Sequence, residues 1–195
     1  MEVAGAILAA GFSTRFPEDK LSQPILGRPI LAWSLEAIKH LGYKAVVLRP
    51  NDRKKNIIPH DYTILVNSRA ELGLSSSIRV AASWMPAGVD GLLLILGDQP
   101  LSGLVTSNLV DEFKKGGCVG VSAIHNGEPV SPAIFSRQII HELLLLEGDV
   151  GAKSVILRHR PSFRFVEAPE DAIIDCDTPE SLKTIARALT LIHRL

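Results

Sequence analysis

The chain has no surplus of charge, only two cysteines and no long apolar run, and each shortage narrows what it can be. Lysine plus arginine number 21, as do aspartate plus glutamate, so the formal net charge is zero. A general nucleic-acid binder needs a basic face to neutralise phosphates, and this composition offers no such excess. A small-molecule substrate fits better. Cys118 and Cys176 lie far apart in apolar contexts. They form neither a disulfide framework nor a zinc motif, and are expected as buried free thiols in a reducing cytosol. The most apolar stretch, Leu92 to Leu96, falls far short of the ~20 residues that span a bilayer. The first residues read directly as a strand without a basic leader, so the expectation is a cytoplasmic protein without membrane attachment.

Familiar catalytic patterns are also missing. Neither G-x-x-x-x-G-K-[ST] nor G-x-G-x-x-G occurs, which argues against P-loop kinase chemistry and NAD binding. No Ser/His/Asp or Cys/His arrangement emerges from spacing: His125 adjoins an Asn-Gly turn and His141 falls on a helical stretch.

What is present suits one domain over residues 1–195. The chain is 46% hydrophobic and 22% charged, with no internal repeat or linker composition. Strands and helices alternate along it. Strands are expected at Val3 to Leu8, Lys44 to Arg49, Tyr62 to Val66, Gly91 to Leu96 and Val119 to Ala123. Shorter ones follow at Ala133 to Phe135, Phe163 to Val166 and Ala172 to Asp175. Pro29 opens a helix with Leu31, Leu35 and Ile38 on one face, and Ser75 is expected to cap a helix buried along Ile78, Ala81, Ala82 and Met85. Further helices are expected near 107–115, 137–146 and 152–158. The last helix has Thr178 as N-cap, Pro179 at its first position, and a stripe of Leu182, Ile185, Leu189 and Ile192. Such alternation predicts an α/β domain of three layers around a mostly parallel sheet, with ligands beyond the carboxyl ends of the strands.

The polar clusters fall at those ends. After the first strand come Leu8, Ala9, Ala10 and Gly11, then Ser13, Arg15 and Lys20. Small residues let a phosphate approach backbone N–H groups, Arg15 can grip it with two parallel bonds, and Lys20 adds a mobile charge. The stretch reads equally as a plain strand–loop connection with surface cations. Asp98 follows the most apolar strand directly, where a carboxylate suits a hard cation beside a ligand. Asp175 and Asp177 lie two apart before the last helix and, in an extended segment, would face one side; they also read as acids favoured at a helix start. Ser75 and Ser77 sit at a helix N-terminus able to bind polar ligand groups, or simply to cap, and Asn67 lies just upstream.

The segment from Leu8 to Lys20 resembles the L-A-A-G-x-S-x-R-x-G-x-x-K signature of the molybdopterin-type nucleotidyltransferases. Four further segments are similar in the same order: Gly73 to Ile78 to G-[LM]-S-x-S-[LI], Gly97 to Pro100 to G-D-[MQ]-P, Leu146 to Lys153 to L-x-G-D-x-G-A-[RK], and Asp175 to Pro179 to D-x-D-T-P. The resemblance implies a Rossmann-like fold of the nucleotide-diphospho-sugar transferase type and transfer of a nucleotidyl group to a phosphorylated acceptor. It implies that Arg15 and Lys20 grip the triphosphate in a loop of Leu8, Ala9, Ala10, Gly11 and Ser13, while Asn67, Ser75 and Ser77 meet the nucleoside. Asp98, with Asp175 and Asp177, would hold Mg²⁺, and Lys153 would meet the acceptor. Ala10, where guanylyl-transferring relatives carry glycine, implies CTP as donor. The implied acceptor is molybdopterin, with a molybdenum enzyme as recipient of the product. A sugar- or polyol-phosphate acceptor, or a cofactor-binding accessory role without turnover, stands as the alternative. Three positions depart from the pattern: Pro17 replaces a glycine, Val130-Ser131-Pro132 replaces Gly-His-Pro, and Lys153 is more often arginine.

Overall fold

The apolar runs divide their side chains between two opposite surfaces, and that division builds the layers. In the computed structural model, which describes residues 1–12 and 19–192, β1 spans Val3–Leu8 and every residue of it is buried. Val3 and Ile7 enter one core, whereas Ala4, Ala6 and Leu8 enter the other. A period of two on a strand covered on both faces requires this split. A two-residue ribbon of β2 (Pro24–Ile25) and β3 (Arg28–Pro29) precedes α1 (Ile30–Leu35), which tightens into a 3₁₀ turn over Glu36–Ile38. Pro29 thus stands just before the helix instead of inside it.

The order continues with β4 (Tyr43–Leu48), β5 (Thr63–Val66), α2 (Leu74–Trp84), β6 (Gly91–Leu96), α3 (Gly103–Lys114), β7 (Gly120–His125) and β8 (Glu128–Ser136). Then follow α4 (Ile140–Leu144), α5 (Lys153–Arg158), β9 (Phe163–Glu167) and α6 (Pro179–Ile192). The seven-stranded sheet runs β5-β4-β1-β6-β8-β7-β9. Of these strands β8 alone runs against the others, pairing antiparallel with β6 and β7. Helices α1, α3 and α6 cover one face, and α2, α4 and α5 the other.

Several expectations change. The return strand is nine residues long, because β8 begins at Glu128 and absorbs Pro129 and Pro132. A slip between Ser122 and Ala123 leaves Ser131 and Pro132, joined by a cis peptide, outside the paired register. The stretch over Ala172 to Asp175 is no strand: Glu170–Ile173 forms a 3₁₀ turn. Ser75 does not cap α2, which starts at Leu74 after Gly73, and its hydroxyl has no hydrogen-bond partner among the described residues. Thr178 does cap α6, since its Oγ1 accepts from Ser181 N at 3.1 Å. Cys176 is buried, but Cys118 is partly exposed. Among the described residues no helix is long and apolar enough to cross a membrane.

The interior is apolar enough to hold this frame. Ile7, Leu92, Leu93 and Ile95 are fully buried, each contributing about 1.5–3 kcal/mol against exposure. After β1 the chain adds β4 and β5 on one side, then returns to place β6 on the other. That reversal opens a crevice at the carboxyl ends of β1 and β6.

Candidate functional site

Leu8 and Leu96 are register partners at the ends of β1 and β6. Gly97 N donates to Leu8 O at 2.9 Å, and a Cβ on Gly97 would lie 3.1 Å from that carbonyl. The glycine therefore lets the Asp98 loop stay against β1. Ser34 Oγ holds the same turn from α1 by donating to Gly97 O at 2.7 Å. Cys176 N donates to Asp98 O at 3.0 Å, which stitches the segment before α6 to the loop after β6. Acids far apart in sequence thereby share one place.

The cation that meets them is Lys20, on a 3₁₀ turn over Lys20–Ser22. Its Nζ donates to Asp98 Oδ2 at 2.6 Å and to Asp177 Oδ1 at 2.7 Å. The lysine side chain is only 13% exposed, against 23% for Asp98 and 41% for Asp177. Burial pulls the Lys20 pKa down, but Asp98 and Asp177 outweigh it and leave it above the ordinary lysine value.

Asp175 behaves differently. Asp177 N donates to Asp175 O at 2.8 Å, so the segment turns instead of extending, and the two carboxylates take different partners. Asp175 Oδ1 accepts from Gln99 Nε2 at 2.9 Å. Burial, then the neighbouring charge of Asp98, pushes the Asp175 carboxyl up to about 6, against the bond from Gln99. Cys176 between them is pushed up to about 12, chiefly by burial, and is an inert thiol. Among the described residues no group of three or more His, Cys, Asp or Glu forms a metal cage. In this crevice the oxygens of Asp98 and Asp177 converge on one cationic atom, and hard carboxylate oxygens sharing one cation suit Mg²⁺ or Mn²⁺.

These groups border a cleft of about 750 Å³. Leu8, Ala9, Ala10 and Gly11 line it with Lys20, Asp98 and Asp177, and Ser77 faces it from α2. Asn67 and Ser75 are not among its lining residues. Asn67 is 2% exposed and its amide nitrogen donates to Ser76 Oγ and Ser77 Oγ, at 2.8 and 3.0 Å. It orients the serines from behind. Ser13 and Arg15 lie outside the described residues.

The start of α2 is not an open anion site. Leu74 N donates to Asp149 Oδ1 at 3.2 Å, and Ser75 N to Gly148 O at 3.4 Å. Gly73 makes this approach possible, with φ of +87° and Asp149 Cα 2.8 Å from where a Cβ would sit. Gly148 and Asp149 consequently form a wall of the cleft.

A second cavity of about 340 Å³ adjoins the first, sharing Leu8, Leu74 and Leu96. Leu94, Ala133, Phe135 and Ile156 give it apolar walls. Its polar groups are few: Gln99, Ser131, Asp175 and Lys153. Lys153 Nζ is 2.7 Å from Glu128 Oε2, so it is ion-paired in place of being a simple solvated charge. Gln99 is 4% exposed, and its Oε1 lacks a hydrogen-bond partner among the described residues. Its role escaped the sequence reading although Leu96 to Pro100 stood out, because only the packing shows which way the amide faces.

A mostly parallel α/β sheet with a paired-carboxylate cleft at its switch point is an architecture suited to binding a phosphorylated ligand with a cation. Residues 5–162 match the family described as the MobA-like NTP transferase domain. The chain belongs to that family. Among curated relatives, the bifunctional protein GlmU of Rhodopseudomonas palustris is 31% identical over 153 residues, which cover 73% of this chain but only 31% of GlmU. The chain thus spans about a third of that relative. The purine catabolism protein PucB of Bacillus subtilis is 28% identical across 95% of this chain and 97% of its own length. Among solved structures, a homologue of Mycobacterium tuberculosis Rv0371c from Mycobacterium sp. strain JC1 superposes with a TM-score of 0.82 at 25% identity, covering 97% of this chain and 98% of that one. Rv0371c of M. tuberculosis H37Rv, solved in complex with manganese, shares the fold with a TM-score of 0.78 at 21% identity, covering 96% of this chain and all of that one.

Proposed function

We propose that the chain transfers a cytidylyl group from CTP to a phosphorylated pterin acceptor of the molybdopterin type, releasing pyrophosphate with the help of Mg²⁺. The observation that carries this reading is the convergence of Asp98 and Asp177 on Lys20 at the mouth of a cleft large enough for a nucleotide. Asp98 and Asp177 would hold the metal; when bound it supplies neutralising charge to the phosphate oxygens. That Rv0371c was solved in complex with manganese supports a divalent cation in the reaction. Lys20 meets the charge that develops on the departing pyrophosphate as the bond between the α-phosphorus and its bridging oxygen breaks. Arg15, from the signature loop, is its proposed companion. An acceptor phosphate oxygen forms the new bond to the α-phosphorus. Being already an anion, it needs alignment more than a general base.

The adjoining cavity favours the acceptor class. Its apolar walls suit the faces of a flat heterocycle, and the unpaired Gln99 Oε1 can accept from an N–H donor on it. Lys153 stands at this cavity as the proposed acceptor contact. Ala10, buried and lining the cleft, supports CTP through the family pattern.

Incubating the protein with each NTP, Mg²⁺ and either molybdopterin or a polyol phosphate, and measuring pyrophosphate release, tests the reading. CTP-dependent release with molybdopterin is expected, and Asp98→Ala should abolish it while the protein still unfolds in one cooperative transition. Release only with the polyol phosphate would overturn the acceptor, and tight nucleotide binding without release would overturn catalysis.

A further inference from the structure

A charged cluster stands behind the cleft, on the loop after β4. Lys54 is 1% exposed, and two carboxylates match its ammonium: Nζ donates to Asp19 Oδ2 and lies 2.9 Å from Asp52 Oδ2. Arg49 approaches the same two acids, with Nη2 3.5 Å from Asp19 Oδ2 and Nε 3.7 Å from Asp52 Oδ2. Asp52 is itself fixed, because its Oδ1 accepts from Lys54 N at 3.0 Å. Two cations and two carboxylates thus compensate one another. Its buried half, Lys54 and Asp52, is costly to assemble and imposes a definite geometry once assembled.

What the cluster holds is informative. The Arg49 guanidinium carbon lies 4.7 Å from the centroid of the Phe12 ring, a cation–π distance. Phe12 lines the cleft directly after Gly11. Asp19 immediately precedes Lys20, and its Oδ1 accepts from Leu21 N at 3.0 Å, capping the 3₁₀ turn that carries Lys20. Arg49 therefore touches both Phe12 and Asp19, and Lys54 secures Asp19 from the buried side. Neither Arg49 nor Lys54 is among the residues lining the cleft.

We propose that Arg49 and Lys54 are positioning residues for nucleotidyl transfer: they clamp Phe12 and Asp19, and through Asp19 they fix where Lys20 stands opposite Asp98 and Asp177. This rests on the reading of the cleft as the triphosphate site. A displacement of about 1 Å at a reacting group can cost on the order of 100-fold in rate, so such a clamp matters without touching substrate. Arg49 suits the task better than lysine would, since a planar guanidinium can stack on a ring while its edge meets a carboxylate.

The test compares Arg49→Ala, Arg49→Lys and Lys54→Met with the parent. The readouts are melting temperature, calorimetric binding of inorganic pyrophosphate with Mg²⁺, and steady-state pyrophosphate release from CTP. Arg49 is partly exposed, so its variants keep the fold even where Lys54→Met does not. Arg49→Ala should lower kcat about 10- to 100-fold, weaken pyrophosphate binding, and leave the acceptor KM unchanged, with Arg49→Lys intermediate. In a Lys20→Met background, Arg49→Ala should add little, because its effect passes through Lys20. Full activity in Arg49→Ala, or losses that multiply in the double variant, would overturn the clamp alone. A parent protein that neither binds pyrophosphate nor consumes any NTP would overturn the nucleotide reading, and the clamp's role with it.

Discussion

Lys20→Met should have two opposite effects on one site. The substitution removes the ammonium that lies within 2.7 Å of both Asp98 and Asp177 and takes one positive charge from between those carboxylates. Unit charges ~4 Å apart interact by about 4 kcal/mol at an effective dielectric constant of ~20, and by about 1 kcal/mol in water. Asp177 is 41% exposed and Asp98 23%, so screening moves the pair towards the lower figure. A net loss of about 1–3 kcal/mol follows for the metal-free protein, at roughly 2–4 °C of melting temperature per kcal/mol for a domain of this size. The same change removes a cation that competes with a divalent metal for the space between Asp98 and Asp177. Manganese affinity should therefore rise by roughly 5- to 150-fold, the same 1–3 kcal/mol expressed as a ratio. Turnover should nonetheless fall by about 10²–10³, because the charge facing the leaving pyrophosphate is gone. Melting in EDTA, Mn²⁺ titration by electron paramagnetic resonance and pyrophosphate release measure the three effects. A variant that melts like the parent and binds Mn²⁺ no more tightly would refute the convergence argument.

Asp175 provides a pH test. Its folded pKa of about 6 is above the unfolded value of ~3.9, so the fold favours the protonated form. Its stabilising contribution is complete below pH ~4 and is lost as the pH rises through 6, on the order of 2–3 kcal/mol in all. Asp175→Asn, compared with the parent by urea unfolding in EDTA, should gain relative stability from pH 4 to 7; a constant difference would refute the cause assigned. Gly73→Ala should destabilise by more than 1 kcal/mol, since alanine resists φ of +87° and its methyl would press on the Asp149 backbone. A melting shift within error of zero would show that the 148–149 loop yields easily.

The layers are legible in the sequence because period and composition are local. Fully apolar β1 and β6 could only be strands covered on both faces, and the stripe on α2 proved buried at Ile78, Ala81, Ala82 and Met85. The position of Asp98 at a strand end was likewise written in the order of residues. Other features depended on partners distant in the chain. Pro129 and Pro132 concealed a nine-residue β8, since whether a proline's missing donor matters depends on its neighbour strand. Asp175 and Asp177 diverged because a single backbone bond turned the segment between them.

The sequence alone determined which chemical groups are available at the strand ends and which faces of the elements must be dry, because backbone geometry converts residue order directly into those facts. Only the tertiary structure decided that Lys20 bridges Asp98 and Asp177, that the loop at 148–149 occupies the start of α2, and that Arg49 touches Phe12 and Asp19 together. Charges and donors act over a few ångströms, and it is the folding of the sheet, with its crossing loops, that brings residues remote in sequence within that range.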